Sequence, residues 1–133
     1  MTIIIKRIDR SIFNSVYKLS KKIFFNFDSF KKYSFVAYHN DIIIGYILST
    51  KIIIVDFYID PKYDYDNIGS ALISNTLSQH LNNSLDICIK LTNNKKINLF
   101  TKIYNFKIIN LSTNTIKVRL DNIVMKRELI TQI

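Results

Sequence analysis

One carboxylate interrupts an otherwise apolar, strand-like run in this chain. The segment KIIIVDFYID, residues 51–60, is β-branched and aromatic except for Asp56 in its interior. Burying a carboxylate there is costly without a partner. Desolvation also raises a carboxylate's affinity for a proton, which suits a general base. Two quieter readings stay open: Asp56 pairs with a lysine, or it caps a bulge in the strand. Asp60-Pro61 then stops the run, and a short loop leads into the helical pattern NIGSALISNTLSQHL. The first turn of a helix has unpaired backbone N–H groups, and its dipole adds partial positive charge. Strand, loop and helix therefore offer a site for an anion, phosphate above all. Gly69 would let the backbone approach a ligand closely, and Ser70 adds a hydroxyl. The same arrangement also occurs as plain structure.

These residues need elements to hold them. TIIIKRI at 2–8 reads as a strand. Asp9 or Ser11 can cap a helix over roughly 12–25, where Ile12, Val16, Leu19 and Ile23 recur at helical spacing. FNFDSFKKYS at 25–34 is a short second helix or a loop. SFVAYHNDIIIGYILST at 34–50 is a hairpin turning at His39-Asn40-Asp41, residues that tolerate turn geometry. Residues 51–60 form a central strand. Residues 67–81 form a helix with Ile68, Leu72, Ile73 and Leu77 as its apolar stripe. SLDICIKL at 84–91 alternates as a strand, with Cys88 expected as a buried, inert thiol. NKKINLFTKIY at 94–104 is a further helix, with Ile97, Phe100 and Ile103 on one face. FKIINLS at 106–112 and a segment within 116–129 are the last strands. The order is β α (α) β β β α β α β β, a mixed α/β chain expected to form one domain over 1–133.

Composition narrows the classes. A chain of 133 residues is long enough to bury roughly two-thirds of its unfolded surface. Its 48% hydrophobic and 22% charged residues are globular proportions. One cysteine excludes an intramolecular disulfide and any multi-cysteine metal site, so no metal is expected. No apolar stretch approaches the ~20 residues that span a bilayer. The start MTIIIKRIDR meets charge too soon for a secretory signal. A cytoplasm, the organism's own or its host's, is the expected location, with no membrane partner. Net charge is +9 and the pI is near 9.7, which raises nucleic acid as a partner. The doublets Lys21–Lys22, Lys31–Lys32 and Lys95–Lys96 make no continuous stripe. Nucleic acid is therefore not the expected partner. A solvated surface, or a field that attracts an anionic ligand such as a phosphorylated cofactor, fits better.

Residues 58–73, YIDPKYDYDNIGSALI, resemble the central motif of the GNAT superfamily of N-acetyltransferases. That motif runs roughly hydrophobic-V-D-P-x-Y-R-G-x-G-I-G-S-x-L-L. Tyr58, Ile59, Asp60, Pro61, Tyr63, Ile68, Gly69, Ser70, Ala71 and Leu72 fall in register without a gap. A second family pattern, N-x-x-A-x-x-F-Y-x-K-x-G-F, matches NKKINLFTKIYNF at 94–106 through Asn94, Phe100 and Phe106. Asn105 stands in the glycine's place, where a left-handed helix cap is wanted. The ending IVMKREL resembles the family's last strand, so the likeness covers the whole chain.

The resemblance implies a GNAT-like mixed α+β fold. Its central, mostly antiparallel sheet splays between strands 4 and 5, with helices on both faces. It implies acetyl-CoA as co-substrate. The pantetheine arm would lie in the splay around Phe57, Tyr58 and Ile59. The pyrophosphate would meet backbone N–H groups of Asp64, Tyr65, Asp66, Asn67, Ile68, Gly69 and Ser70, and Asn94, Phe100 and Thr101 would complete the cofactor side. A neutral amine would attack the thioester, and Asp56 is the candidate base. Members that act on polyamines hold a Glu-Asp pair there, and Val55 replaces the first. The family's usual acid, a tyrosine, is Thr101 here. Tyr104, three residues on, is the candidate substitute, with core packing its alternative. The acceptor would be a small-molecule primary amine, such as a nucleotide-linked amino sugar or a polyamine, or else a protein amine. Phe27, Asp28 and Phe30 are candidates to line its site, or they form a lid packed on the core. Homodimers are common in the family. The family's arginine and first two loop glycines are Asp64, Tyr65 and Asn67 here. Aspartates beside a pyrophosphate repel it unless they face solvent while Asp66 or Asn67 caps the helix. A degenerate relative that keeps the fold as a binding module is thus the second reading.

Overall fold

The computed structural model describes residues 2–20, 27–121 and 123. Residues 21–25 of the expected first helix, and residues 122 and 124–129 of the segment expected to hold the last strand, lie outside these. Among the described residues seven strands form one sheet: β1 (Ile4–Arg7), β2 (Phe35–His39), β3 (Ile42–Ser49), β4 (Ile53–Ile59), β5 (Leu85–Lys90), β6 (Lys107–Leu111) and β7 (Thr115–Leu120). Their spatial order is β1-β2-β3-β4-β5-β7-β6. All neighbouring pairs are antiparallel except β4 with β5. The β2–β3 turn puts Asn40 at φ 51° and Asp41 at φ 63°. Two successive left-handed residues match the right-handed twist of the flanking strands.

Helices cover both faces. On one lies α1 (Arg10–Ser20), entered through Asp9, whose Oδ1 accepts the Ile12 N–H at 2.8 Å. Its buried residues Phe13 and Val16 pack with Ile8, Phe30, Val36, Tyr46 and Leu48. The expected stripe through Leu19 is corrected: Leu19 is 53% exposed. The buried face turns instead toward the aromatic segment after the helix, where Phe13 meets Phe27 and Phe30. Phe27–Ser29 is a single 3₁₀ turn, not a second helix.

The other face carries α2 (Tyr65–Leu77), α3 (Asn94–Asn98) and a π-helical turn over Leu99–Ile103. Ile68, Leu72, Ile73 and Leu77 of α2 all enter the larger core cluster, as their spacing requires. The last helix departs from a simple stripe. Leu99 and Phe100 are buried while Ile103 is 51% exposed. A π turn adds a residue to the helical repeat and rotates Ile103 away from the core. Asn105 then takes φ 62°, the left-handed cap its type suits. Cys88 is a further correction. Leu85, Ile87 and Ile89 are buried on β5, and alternation leaves the Cys88 thiol exposed on the opposite face.

Both glycines answer to packing. A Cβ on Gly45 would sit 2.9 Å from the Tyr58 carbonyl oxygen on β4. One on Gly69 would sit 2.6 Å from Leu99 Cδ2 and 3.2 Å from Phe57 Cζ. Gly69 is buried, four residues into α2, and lets the helix approach β4 and the π turn. This packing role is not part of the sequence expectation, which assigns Gly69 to a ligand's approach.

Candidate active site

β4 and β5 pair over only two positions, Ile53 with Asp86 and Ile54 with Ile87. Beyond them β4 continues to Ile59 and β5 to Lys90 without pairing to each other. The sheet is thus open along the second half of β4, and α2 begins just past that half. The bulge lies here as well. Opposite Leu48 stands Asp56 and opposite Ser49 stands Ile54, so Val55 is the extra residue.

Asp56 sits at this bulge, partly buried. Its Oδ1 accepts the Phe57 N–H at 3.0 Å, and its Oδ2 accepts the Tyr46 hydroxyl at 2.8 Å. Tyr46 is 3% exposed. Burial first, then the bond to Asp56, pushes its hydroxyl well above the usual tyrosine range. Tyr46 therefore keeps its proton and aims it at Asp56. Ser20, the last residue of α1, acts on the same hydroxyl in the opposite, lowering direction. The Tyr58 ring lies 5.6 Å from that of Tyr46 and is 40% exposed. Tyr46 went unread in the sequence. Its signal is the hairpin register, which sets Tyr46 diagonal to Asp56 on one face.

The anion site at the start of α2 is partly filled by the chain itself. Asp64 is the N-cap, not Asp66 or Asn67 as expected, and the helix starts at Tyr65. Its Oδ1 accepts the Asn67 N–H at 3.1 Å and its Oδ2 the Asn67 Nδ2 at 2.9 Å. Ile68 already donates to the Asp64 carbonyl. Among the first-turn donors, those of Tyr65 and Asp66 remain for an external anion. The Asp64 carboxylate would repel a phosphate about 6 Å away by up to ~3 kcal/mol, and less once screened by solvent. The helix dipole offsets about 0.3–2 kcal/mol of that. Two hydrogen bonds brace the loop before it: Asp60 Oδ1 accepts the Lys62 N–H at 3.0 Å, and the Tyr63 hydroxyl meets His39 Nδ1 at 2.8 Å.

The remaining cofactor and acceptor candidates scatter. Phe57, Ile59, Ile68, Gly69 and Phe100 are buried in the core. Ser70 is half-buried, with its carbonyl accepting the Tyr104 hydroxyl at 2.9 Å. Asn94 is exposed at the start of α3, and Thr101 Oγ1 donates back to Ile97 O at 2.7 Å. The two catalytic candidates are not brought together. The Tyr104 hydroxyl bonds Ser70 and Ser74 on α2, whereas Tyr46, the partner of Asp56, packs with α1 on the other face. Phe30 is core and Phe27 packs beside it, under the Arg10 guanidinium. Asp28 is exposed and pairs with Lys31 at 3.3 Å. A hollow of about 410 Å³ lies at the open end of β5, lined by Lys90, Leu91, Thr92, Thr113, Asn114 and Thr115. Among the described residues no group of three His, Cys, Asp or Glu could hold a metal ion. None of their helices is long and apolar enough to cross a membrane.

The paired end of β4 and β5 is locked. Asp86 is 8% exposed. Arg119 donates to it from Nε at 2.6 Å and Nη2 at 2.9 Å, and Lys117 Nζ lies 3.6 Å away. The Arg119 hydrogen bonds, ahead of the other charges, hold the Asp86 carboxyl below the usual range. A lowered folded value gives stability that is present above the unfolded value and lost as pH falls through the folded one. Asp86→Asn is therefore expected to lower the melting temperature at pH 7, with a gap from wild type that shrinks below about pH 4. Melts of both proteins from pH 7 to 3 check this, and parallel curves would refute it.

No family model matches the sequence, and no curated protein matches it. Solved structures do. The Escherichia coli ribosomal-protein-S18-alanine N-acetyltransferase aligns at TM-score 0.74 and 13% identity, over 93% of this chain and 96% of its own. Arabidopsis thaliana Naa50, bound to the bisubstrate analogue CoA-Ac-MVNAL, aligns at 0.71 and 18% identity, over 91% and 99%. The diaminobutyrate acetyltransferase EctA of Paenibacillus lautus, holding its substrate and coenzyme A, aligns at 0.69 and 11% identity, over 92% and 96%. The chain has the fold of the GNAT N-acetyltransferases.

Proposed function

We propose that this protein is an acetyl-CoA-dependent N-acetyltransferase acting on a primary amine. The observation that carries the reading is the splay itself. A half-open central strand holds a bonded carboxylate at its bulge and runs straight into a helix N-terminus. The open half of β4, from Phe57 to Ile59, would hold the pantetheine arm, and the Tyr65 and Asp66 N–H groups the pyrophosphate. Acetyl-CoA supplies the activated acetyl group.

Asp56 takes the proton that the amine gives up on becoming a nucleophile. Tyr46 fixes Oδ2 so that this carboxylate stays at the bulge. Neighbours acting on a ribosomal-protein alanine and on diaminobutyrate leave the acceptor class open between protein and small-molecule amines. The net charge of +9 favours an acceptor with negative charge, such as a nucleotide-linked amino sugar, over a polyamine. A second reading, a binding module that keeps the fold without turnover, is favoured by one observation: Asp64 occupies the helix N-terminus.

Calorimetry with acetyl-CoA separates the two. Binding is expected, and a thiol-release screen over amines then finds the acceptor. No heat at about millimolar acetyl-CoA, the weak end of specific affinity, would sink the enzyme reading.

A further inference from the structure

From Tyr63 to Ser70, the segment that should hold a pyrophosphate carries no cation; exposed Lys62 precedes it. Asp64 stands in the arginine's place and caps α2. Tyr65, standing in a glycine's place, is the first residue of that helix. Its ring is edge-on to Phe57 of β4, with centroids 6.1 Å apart. Lys95 Nζ lies 5.9 Å from the Tyr65 ring centroid, and Lys96 Nζ lies 5.8 Å from that of Phe57. Both lysines come from the first turn of α3, which Asn93 caps through the Lys96 N–H at 3.1 Å. The helix facing α2 thus delivers positive charge to the mouth of the splay. Among the described residues Lys95 pairs with no carboxylate.

We propose that Lys95, carried on the ring of Tyr65, makes the cationic contact to the cofactor's pyrophosphate that residues 63–70 cannot make. The inference rests on the acetyl-CoA reading above. Its physical basis is the pairing of two unusual residues. A tyrosine in a glycine's position adds a ring whose face attracts an ammonium group. Burial, then the nearby Asp66, raises the Tyr65 hydroxyl to about 12, so the ring stays neutral. That hydroxyl is buried with no hydrogen-bond partner. A residue that leaves a buried hydroxyl unsatisfied is poorly explained by packing alone. Presenting Lys95 beside the two open N–H groups gives the residue a purpose. One attractive pair with Lys95 offsets one repulsive pair with Asp64 at equal distance.

Calorimetry with acetyl-CoA tests the proposal, in wild type and in Lys95→Ala, Tyr65→Leu and Lys95→Ala/Asp64→Arg. Lys95→Ala is expected to raise Kd about ten-fold, the effect of one charge-assisted contact, and to flatten its dependence on salt. Tyr65→Leu should weaken binding in the same direction but less. Adding Asp64→Arg to Lys95→Ala should restore affinity, since it returns a cation to the loop. Circular dichroism melts confirm that each variant folds. A Lys95→Ala Kd within about two-fold of wild type, with unchanged salt dependence, overturns the inference and leaves the enzyme reading standing. Wild type that binds no acetyl-CoA overturns both.

Discussion

Asp56→Asn is expected to lower kcat by about 10²–10³-fold while leaving the acetyl-CoA Kd within about two-fold. The substitution is isosteric. An asparagine can keep both contacts, its carbonyl oxygen accepting the Phe57 N–H and its Nδ2 donating to the Tyr46 hydroxyl oxygen, so the β3–β4 contact and the bulge survive. What vanishes is the ability to take a proton. An amine is protonated at neutral pH, and without a base only its rare neutral form reacts. The variant should therefore recover activity as pH rises toward the amine's own value. Tyr46→Phe isolates the other half of the arrangement. It leaves the carboxylate but removes the hydroxyl that fixes Oδ2, so a smaller loss of about ten-fold is expected, with Kd unchanged. Unaltered kcat in Asp56→Asn would remove Asp56 as the base and leave it a cap for the bulge, a role its bond to the Phe57 N–H already fills.

The sequence displayed the element order because each element has a local cause. Pro61 stops β4, Asn40-Asp41 can turn left-handed, and Ile68, Leu72 and Leu77 repeat at helical spacing. What it hid depends on contacts between elements. Asp64, Asp66 and Asn67 are all competent caps, and only the packing of Tyr65 and Ile68 into the core selects Asp64. Gly69 lies in a motif that suggests a ligand, but its need for a missing Cβ comes from Leu99, thirty residues on. The Asp56–Tyr46 bond needs a strand register that includes a bulge. Cys88 was misread although a signal was present: alternation with the apolar Leu85, Ile87 and Ile89 assigns it to the other face. The charges at the cofactor mouth were read from the loop alone. Lys95 enters only because α3 folds back beside α2.

The largest effect on stability is expected at Phe100. Its side chain is fully buried. Its ring meets Phe57 at 5.3 Å and 76°, and Phe106 at 5.1 Å and 88°, both edge-to-face. The three rings join the π turn to β4 and to the approach to β6, and Phe106 donates its N–H to the Phe100 carbonyl at 2.9 Å. Neighbours bonded in this way cannot collapse into a void. Phe100→Ala should cost about 3–5 kcal/mol, a large part of the ~5–15 kcal/mol that holds a domain folded. Phe100→Leu keeps most of the volume and should cost about 1–2 kcal/mol. Urea unfolding measures both, and a loss under about 1 kcal/mol in the alanine variant would show that the ring is not packed as described. Phe57 lies in the half of β4 proposed to hold the cofactor, so the lost ring contact reaches the site as well. If acetyl-CoA binds the folded chain alone, saturating cofactor should return part of the lost stability to Phe100→Ala, by an amount that grows with ligand concentration.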